Sequence, residues 1–86
     1  MARVRVEFYG LARRRAGIAE IEVEADTVGS ALEAIARECP ALALLREGRI
    51  AEEFLVSLGG ERFAEDLKRA VPEGVSLLVM GADSGG

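Results

Sequence analysis

The sequence predicts an α+β fold, in which a mixed sheet of four to five strands carries one main helix packed on one face. Two patterns lead to this prediction. Segments near both ends of the chain alternate or run apolar as strands do, whereas residues 28–39 place apolar side chains at helical spacing. The 86 residues also suit one layer of helix on one sheet, because a domain of this size buries only about 60% of its unfolded surface.

The first two strands are predicted from strict alternation of side chains. Residues 3–9 alternate charged and apolar side chains, which is typical of a strand with one buried face. Residues 20–25 repeat the pattern, with Ile21 and Val23 inward. Residues 11–17 are predicted to be a loop with room for one helical turn, so the two strands should form a hairpin.

The main helix is predicted to begin after Asp26 and Thr27, because both are good N-cap residues and the apolar period changes there. Its apolar face comprises Val28, Leu32, Ile35, Ala36 and Cys39. Pro40 should end the helix, since the residue before a proline is pushed away from helical geometry. A second short helical piece is expected at residues 41–46.

The next segments predict one strand and leave one assignment open. Residues 54–58 form a short apolar run bounded by Gly59 and Gly60, which predicts a central strand and then a turn. Residues 61–71 fit a helix, and a short strand at residues 61–64 followed by a loop fits nearly as well.

The last strand is predicted at residues 75–80, after a turn at residues 72–74 that contains proline and glycine. This run is almost wholly apolar, as expected of a strand buried on both faces. Because the two terminal strands are the most hydrophobic, they should lie side by side at the centre of the sheet.

Composition argues against several classes of function. A formal net charge of −4 disfavours nucleic-acid binding and favours a protein partner with a basic docking surface. No apolar run approaches the roughly 18 residues needed to span a bilayer, and the first residues lack the pattern of a signal peptide. The single cysteine, Cys39, fits a reducing compartment. We therefore expect a cytoplasmic protein with no nucleic-acid or membrane partner.

No independent catalytic constellation is identified in the sequence. Cys39 lies on the apolar stripe of the helix, and no histidine is present to activate it, so a core role is favoured. The arginines at residues 13–15 are expected to form a solvated loop rather than a phosphate or RNA site. Neither a metal site nor a bound cofactor is predicted.

The end of the sequence suggests where the chemistry lies. We expect a domain at residues 1–80 and a flexible tail at residues 81–86, which carries no side chain able to anchor it in a core. Fully extended, the tail would reach roughly 20 Å. The C-terminal carboxylate of Gly86 is the expected working group, while Ser84 and Gly85 should thread the tail into a narrow partner site.

The carboxylate needs help from a partner enzyme, because it is ionised at neutral pH and an ionised carboxylate is a poor electrophile. A partner could use ATP to convert it into an acyl adenylate, which a sulfur nucleophile could then attack. The product would be a thiocarboxylate, a soft and reactive sulfur donor.

Along nearly its whole length the sequence resembles the ubiquitin-like sulfur-carrier proteins of molybdopterin and thiazole biosynthesis. The resemblance is carried by residues 4–17, 27–32 and 54–58 and by the ending Ser84-Gly85-Gly86, and it looks closest to the small subunit of molybdopterin synthase. It implies a ubiquitin-like β-grasp fold and activation by an ATP-using adenylyltransferase of the ubiquitin-activating type. It also implies thiocarboxylation at Gly86 and docking on the large subunit of molybdopterin synthase.

Several functions stay open at this point. Some relatives serve thiazole synthesis or tRNA thiolation, and the chain could also be a modifier that joins Gly86 to a target lysine, or a plain interaction module. Proteins of this fold often dock through a sheet surface. Leu58, Phe63 and Leu78 are therefore candidate partner-binding residues, although a core role is favoured for each.

Overall fold

The computed structural model describes residues 2–59, 62–63 and 66–82, except for the side chains of residues 62 and 63. In chain order the elements are β1 (Ala2–Phe8), α1 (Leu11–Ala16), β2 (Glu20–Ala25), α2 (Val28–Glu38), a 3₁₀ turn (Pro40–Leu42), β3 (Leu45–Arg46), β4 (Arg49–Ile50), β5 (Phe54–Leu58), β6 (Arg62–Phe63) and β7 (Leu77–Gly81).

Within the described residues the main sheet has five strands in the order β2-β1-β7-β5-β6. β1 and β7 pair in parallel, whereas the other neighbours pair antiparallel, so the sheet is mixed. β7 is therefore the central strand, with β1 beside it. The predicted fold class and the predicted side-by-side placement of the two terminal strands are both confirmed.

A capping box starts α2 at the predicted place. The Ser30 N–H donates to Thr27 Oγ1 and the Thr27 N–H donates to Ser30 Oγ, both at 3.1 Å. This reciprocal pair satisfies two backbone donors that a helix end would otherwise leave unbonded. At the other end Cys39 is the C-cap, and Pro40 follows it as predicted.

The segment before the last strand satisfies the remaining donors of the first turn of α2. The Val28 N–H donates to the Arg69 carbonyl and the Gly29 N–H to the Leu67 carbonyl, each at 2.8 Å. Residues 66–69 form turns rather than a helix, and Arg62–Phe63 is a short strand. Of the two assignments left open for this segment, the short strand followed by a loop is confirmed.

The core lies between α2 and the inner face of the sheet. The buried side chains of α2 are those of Val28, Ala31, Leu32, Ala34 and Ile35. They join one apolar cluster with Val6 and Phe8 of β1 and Val79 of β7. Full burial of a Val, Leu, Ile or Phe side chain contributes about 1.5–3 kcal/mol, so this cluster is the main source of stability.

β7 differs from its prediction in position and in burial. The strand runs from Leu77 to Gly81 rather than over residues 75–80. Leu77 and Val79 are fully buried on the inner face, whereas Leu78 and Met80 are half-buried on the outer face. The strand is therefore fully buried on one face only, because α2 covers the inner face of the sheet.

The prediction of a second helical piece at residues 41–46 is wrong for residues 43–46. Pro40–Leu42 is a 3₁₀ turn, but Ala43 has a φ of 53°, which ends the helical geometry. The chain then forms a hairpin of β3 and β4, in which Glu47 and Gly48 both have positive φ. Two such residues in succession are typical of a tight hairpin turn.

Residues 11–17 form more regular structure than the predicted loop. α1 spans Leu11–Ala16 and buries Ala12, and Gly17 ends it with a φ of 78°. No helix within the described residues is long and apolar enough to cross a membrane.

Candidate functional site

Ser84, Gly85 and Gly86, which the sequence predicts as the functional end, lie outside the described residues. The approach to them is described as far as Ala82. The predicted division into a domain at residues 1–80 and a tail at residues 81–86 stays a prediction, although Gly81 belongs to β7.

Ala82 is bonded to the folded domain. Its N–H donates to the carbonyl oxygen of Glu53 at 2.8 Å. The preceding residue, Gly81, is buried and stands opposite Phe54 in the antiparallel pair of β5 and β7. The described chain is therefore held against the start of β5 up to its last residue.

A charged cluster surrounds this point of attachment. Arg15 Nη1 donates to Glu53 Oε2 at 3.1 Å, and Arg46 Nη2 donates to the same oxygen at 3.3 Å. Arg15 Nη1 also lies 3.5 Å from the Leu42 carbonyl oxygen, and the Arg15 guanidinium stands 5.4 Å from the centroid of the Phe54 ring. One arginine thus links α1 to the 3₁₀ turn and to the start of β5.

The electrostatics of this cluster favour an ionised Glu53. A hydrogen bond from its own backbone and, next, the hydrogen bond from Arg15 lower the pKa of the Glu53 carboxyl below its ordinary value. The carboxylate therefore stays charged, and remains available to both arginines, well below neutral pH.

The sequence alone does not identify this cluster. Arg15 is predicted there only as part of a solvated loop, and Glu53 and Arg46 are not singled out. Arg15 and Glu53 are separated by 38 positions. Neither helical nor strand periodicity relates residues so far apart, so their contact follows only from the packing of α1 against the 3₁₀ turn.

The predicted partner-binding residues do not share one surface. Leu58 is only 7% exposed and belongs to the core, where it stands opposite Leu77. Leu78 lies half-buried on the outer face of the sheet, opposite Ser57. The backbone of Phe63 also pairs with Ser57, but its side chain lies outside the described residues. Partner binding by these residues stays a prediction.

Leu78 has other apolar neighbours on the outer face. Leu55 is 37% exposed and stands opposite the half-buried Met80, two pairs from Leu78 along the same two strands. Tyr9, which follows the last residue of β1, is 46% exposed, and its hydroxyl donates a hydrogen bond to Glu7. That hydrogen bond is the main reason why the pKa of the Tyr9 hydroxyl is raised.

Cys39 has the core position that the sequence predicts. It is 7% exposed and belongs to the apolar cluster. Burial, and to a smaller extent the charge of Glu38, raises the pKa of its thiol, which disfavours the reactive thiolate. Within the described residues no three potential metal ligands come together.

The topology defines a class of protein. A five-stranded mixed sheet, with the first and last strands parallel at its centre and one main helix across one face, is the ubiquitin-like β-grasp fold. No protein-family model and no curated protein matches the chain.

Solved structures give a more particular likeness. The chain is 26% identical to the small archaeal modifier protein SAMP1 of Haloferax volcanii, with a TM-score of 0.82 over 99% of this chain and 100% of that one. SAMP1 of Methanosarcina acetivorans is 20% identical, with a TM-score of 0.81 over 100% of this chain and 98% of that one. A Pyrococcus furiosus protein assigned as molybdopterin converting factor subunit 1 is 18% identical, with a TM-score of 0.75 over 94% and 98%. The predicted resemblance to the ubiquitin-like sulfur-carrier family is confirmed by these neighbours.

Proposed function

We propose that the chain is a sulfur carrier whose C-terminal Gly86 is thiocarboxylated by a partner enzyme. A carboxylate oxygen of Gly86 attacks the α-phosphorus of ATP in an adenylyltransferase of the ubiquitin-activating type, and pyrophosphate leaves. A sulfide equivalent then attacks the acyl carbon. A C–S bond forms, the C–O bond to AMP breaks, and AMP departs with the former carboxylate oxygen.

The observation that supports this proposal best is the likeness to SAMP1 of Haloferax volcanii, which covers 99% of this chain and 100% of that one. The central strand β7 ends at Gly81, and residues 83–86 follow Ala82 in the sequence. Four residues reach roughly 13 Å when extended, enough to bring Gly86 into a partner's active site while the sheet stays outside. The reactive nucleotide is then bound by the partner, and this chain requires no cofactor of its own.

For the sulfur acceptor we propose the large subunit of molybdopterin synthase, in the cytoplasm. This part of the proposal rests on the sequence resemblance of residues 4–17 and of Ser84-Gly85-Gly86 to the small subunit of that enzyme. The structure of the Pyrococcus furiosus protein supports the fold that such a subunit requires.

A second candidate function is favoured by the name of the neighbour at 26% identity, which is a modifier protein. In this alternative the acyl adenylate of Gly86 is passed to the ε-amino group of a lysine on a target protein. An amide bond forms, and AMP leaves. Both functions share the first step and differ in the nucleophile that follows.

Intact-mass measurement of the protein purified from its own host tests the proposal. The carrier function predicts a species that is heavier by the replacement of one oxygen with one sulfur, and loss of that species when Gly86 is deleted. A ladder of higher-mass conjugates on a blot, also dependent on Gly86, would favour the modifier. If the full-length chain shows neither species, and the activating enzyme of the host does not adenylate it, the proposed function is wrong.

A further inference from the structure

The charged cluster of Arg15, Glu53 and Arg46 lies where the described chain leaves the sheet. Arg15 and Arg46 both bind Glu53 Oε2, at 3.1 and 3.3 Å. The backbone carbonyl of Glu53 accepts the N–H of Ala82 at 2.8 Å. Glu53 therefore binds the two arginines through its side chain and Ala82 through its backbone.

We infer that Arg15, Glu53 and Arg46 form a positioning cluster that fixes Ala82. The position of Ala82 then sets the point from which residues 83–86 enter a partner. The inference rests on the proposed function, because it assigns a role to the cluster in presenting Gly86. Arg15 acts through Glu53 and touches no reacting atom, so its role is one of position.

The packing of Arg15 supports this role by a second, independent contact. Its guanidinium lies 5.4 Å from the centroid of the Phe54 ring, and Phe54 stands opposite Gly81, the last residue of β7. A cation above the face of an aromatic ring is attracted by the quadrupole of the ring. Arg15 therefore contacts both Glu53, whose carbonyl accepts the Ala82 N–H, and Phe54, which pairs with Gly81. Both residues are restrained by these contacts.

The neighbouring arginine provides a matched control. Arg14 is exposed on the same helix, and among the described residues its side chain has no ion pair or hydrogen bond. Arg14→Gln and Arg15→Gln remove the same charge one position apart. Any difference between these two variants therefore reports the contacts of Arg15 and not the net charge of the chain.

The first measurement is the backbone ¹⁵N order parameter of Ala82 in the full chain, with Tyr9 as an internal reference. The Tyr9 N–H donates to the Val79 carbonyl at 2.9 Å, in the middle of β7 and away from the cluster. We expect the order parameter of Ala82 to fall from about 0.85 toward about 0.6 in Arg15→Gln and in Glu53→Gln. The second variant removes the carboxylate but keeps the backbone carbonyl that accepts the Ala82 N–H. The order parameter of Tyr9 should stay high in both variants. Arg14→Gln should change the order parameter of neither Ala82 nor Tyr9.

The second measurement is ATP–pyrophosphate exchange catalysed by the activating enzyme of the same host. We expect the KM for the carrier to rise about two- to fivefold in Arg15→Gln, the range that corresponds to the loss of one exposed ion pair, and not in Arg14→Gln.

Three results would overturn the inference: an unchanged order parameter for Ala82 in Arg15→Gln, an equal effect of Arg14→Gln on Ala82 or on KM, or a loss of order at Tyr9 as large as that at Ala82. If the wild-type chain is not adenylated, the proposed function fails, and the order parameters alone decide whether the cluster positions Ala82.

Discussion

Gly29 lies in the first turn of α2, where its backbone approaches another part of the chain closely. Its N–H donates to the Leu67 carbonyl oxygen at 2.8 Å, and a Cβ built on Gly29 would stand 2.9 Å from that same oxygen. A backbone oxygen cannot swing aside as the end of a long side chain can. The missing side chain therefore allows residues 66–71 to dock on the helix N-terminus.

We predict that Gly29→Ala destabilises the protein by about 1–3 kcal/mol, because overpacking against Leu67 outweighs the roughly 1 kcal/mol by which alanine is the better helix former. Denaturant unfolding followed by circular dichroism measures the change. Glu33→Ala, at an exposed position of the same helix, is the control and should change the free energy of unfolding by no more than about 0.5 kcal/mol. A more stable Gly29→Ala variant would contradict the described contact.

Tyr9 permits a direct test of the outer face, since the chain has one tyrosine and no tryptophan. The hydrogen bond to Glu7 is the largest cause of the raised pKa of the Tyr9 hydroxyl, because ionisation removes the donated proton; burial and the charge of Glu7 raise the pKa further. We predict that Glu7→Gln lowers this pKa toward the usual value of about 10. Spectrophotometric titration of the phenol measures it. Glu24→Gln is the control, because Glu24 lies four pairs along β2 from Glu20, the residue opposite Glu7. An equal shift in that variant would refute the assignment to Glu7.

At the scale of elements, local patterns and distant contacts contribute differently. β1, β2 and α2 are predicted by alternation and by helical spacing, and they form where expected because each buries the face that its pattern marks. β3 and β4 are two residues each, too short to carry a pattern of their own. The turn of their hairpin requires a positive φ at Glu47. Glutamate is not a typical turn residue, so the sequence does not indicate the turn at this position.

The candidate site follows the same division. The ending Ser84-Gly85-Gly86 can be singled out from sequence, because its lack of bulky side chains is a local property. The contact of Arg15 with Glu53 beside Ala82 cannot be predicted in this way, since many arginines and glutamates are available and only the tertiary structure selects this pair. Leu58 shows the reverse limit, because its apolar character favours the core position that it occupies but also makes it a candidate for a docking surface.

The cluster that joins α1 to the start of β5 should be sensitive to acid. The pKa of Glu53 is lowered in the folded protein, chiefly by its backbone hydrogen bond and then by the hydrogen bond from Arg15. These contacts therefore favour the ionised form of Glu53. A lowered folded-state pKa gives stability that is present above the ordinary carboxyl pKa of about 4.3 and is lost as the pH falls through the folded-state value.

We therefore predict that wild type has a higher melting temperature than Arg15→Gln at pH 7, and that this difference shrinks as the pH is lowered from about 5 to about 2. Differential scanning calorimetry across this range provides the measurement. Arg14→Gln should follow the wild-type profile throughout. A difference between wild type and Arg15→Gln that stays constant with pH would show that Glu53 ionisation does not contribute.

For the whole molecule, the arrangement of strands protects one edge and joins the two ends of the chain. β2 is an edge strand, and its exposed Glu20, Glu22 and Glu24 disfavour pairing with a second sheet. Arg5 lies 2.9 Å from Glu20, so part of this charge is balanced within the hairpin. The centre of the sheet, by contrast, is made by β1 and β7, which come from opposite ends of the described chain.

This topology predicts that stability and function can be separated by truncation. β7 pairs with β1 through Val6, Glu7 and Phe8 and with the whole of β5, so deleting residues 77–86 divides the sheet and should leave an unfolded chain. Deleting only residues 83–86 keeps every described pair and the Ala82 bond to Glu53. We expect that shorter deletion to change the free energy of unfolding by no more than about 0.5 kcal/mol while abolishing adenylation. Urea unfolding and ATP–pyrophosphate exchange on the two truncated chains and on wild type measure both effects. If deletion of residues 83–86 unfolds the domain, the last four residues belong to the fold, and Gly86 is not the independent handle that the proposed chemistry requires.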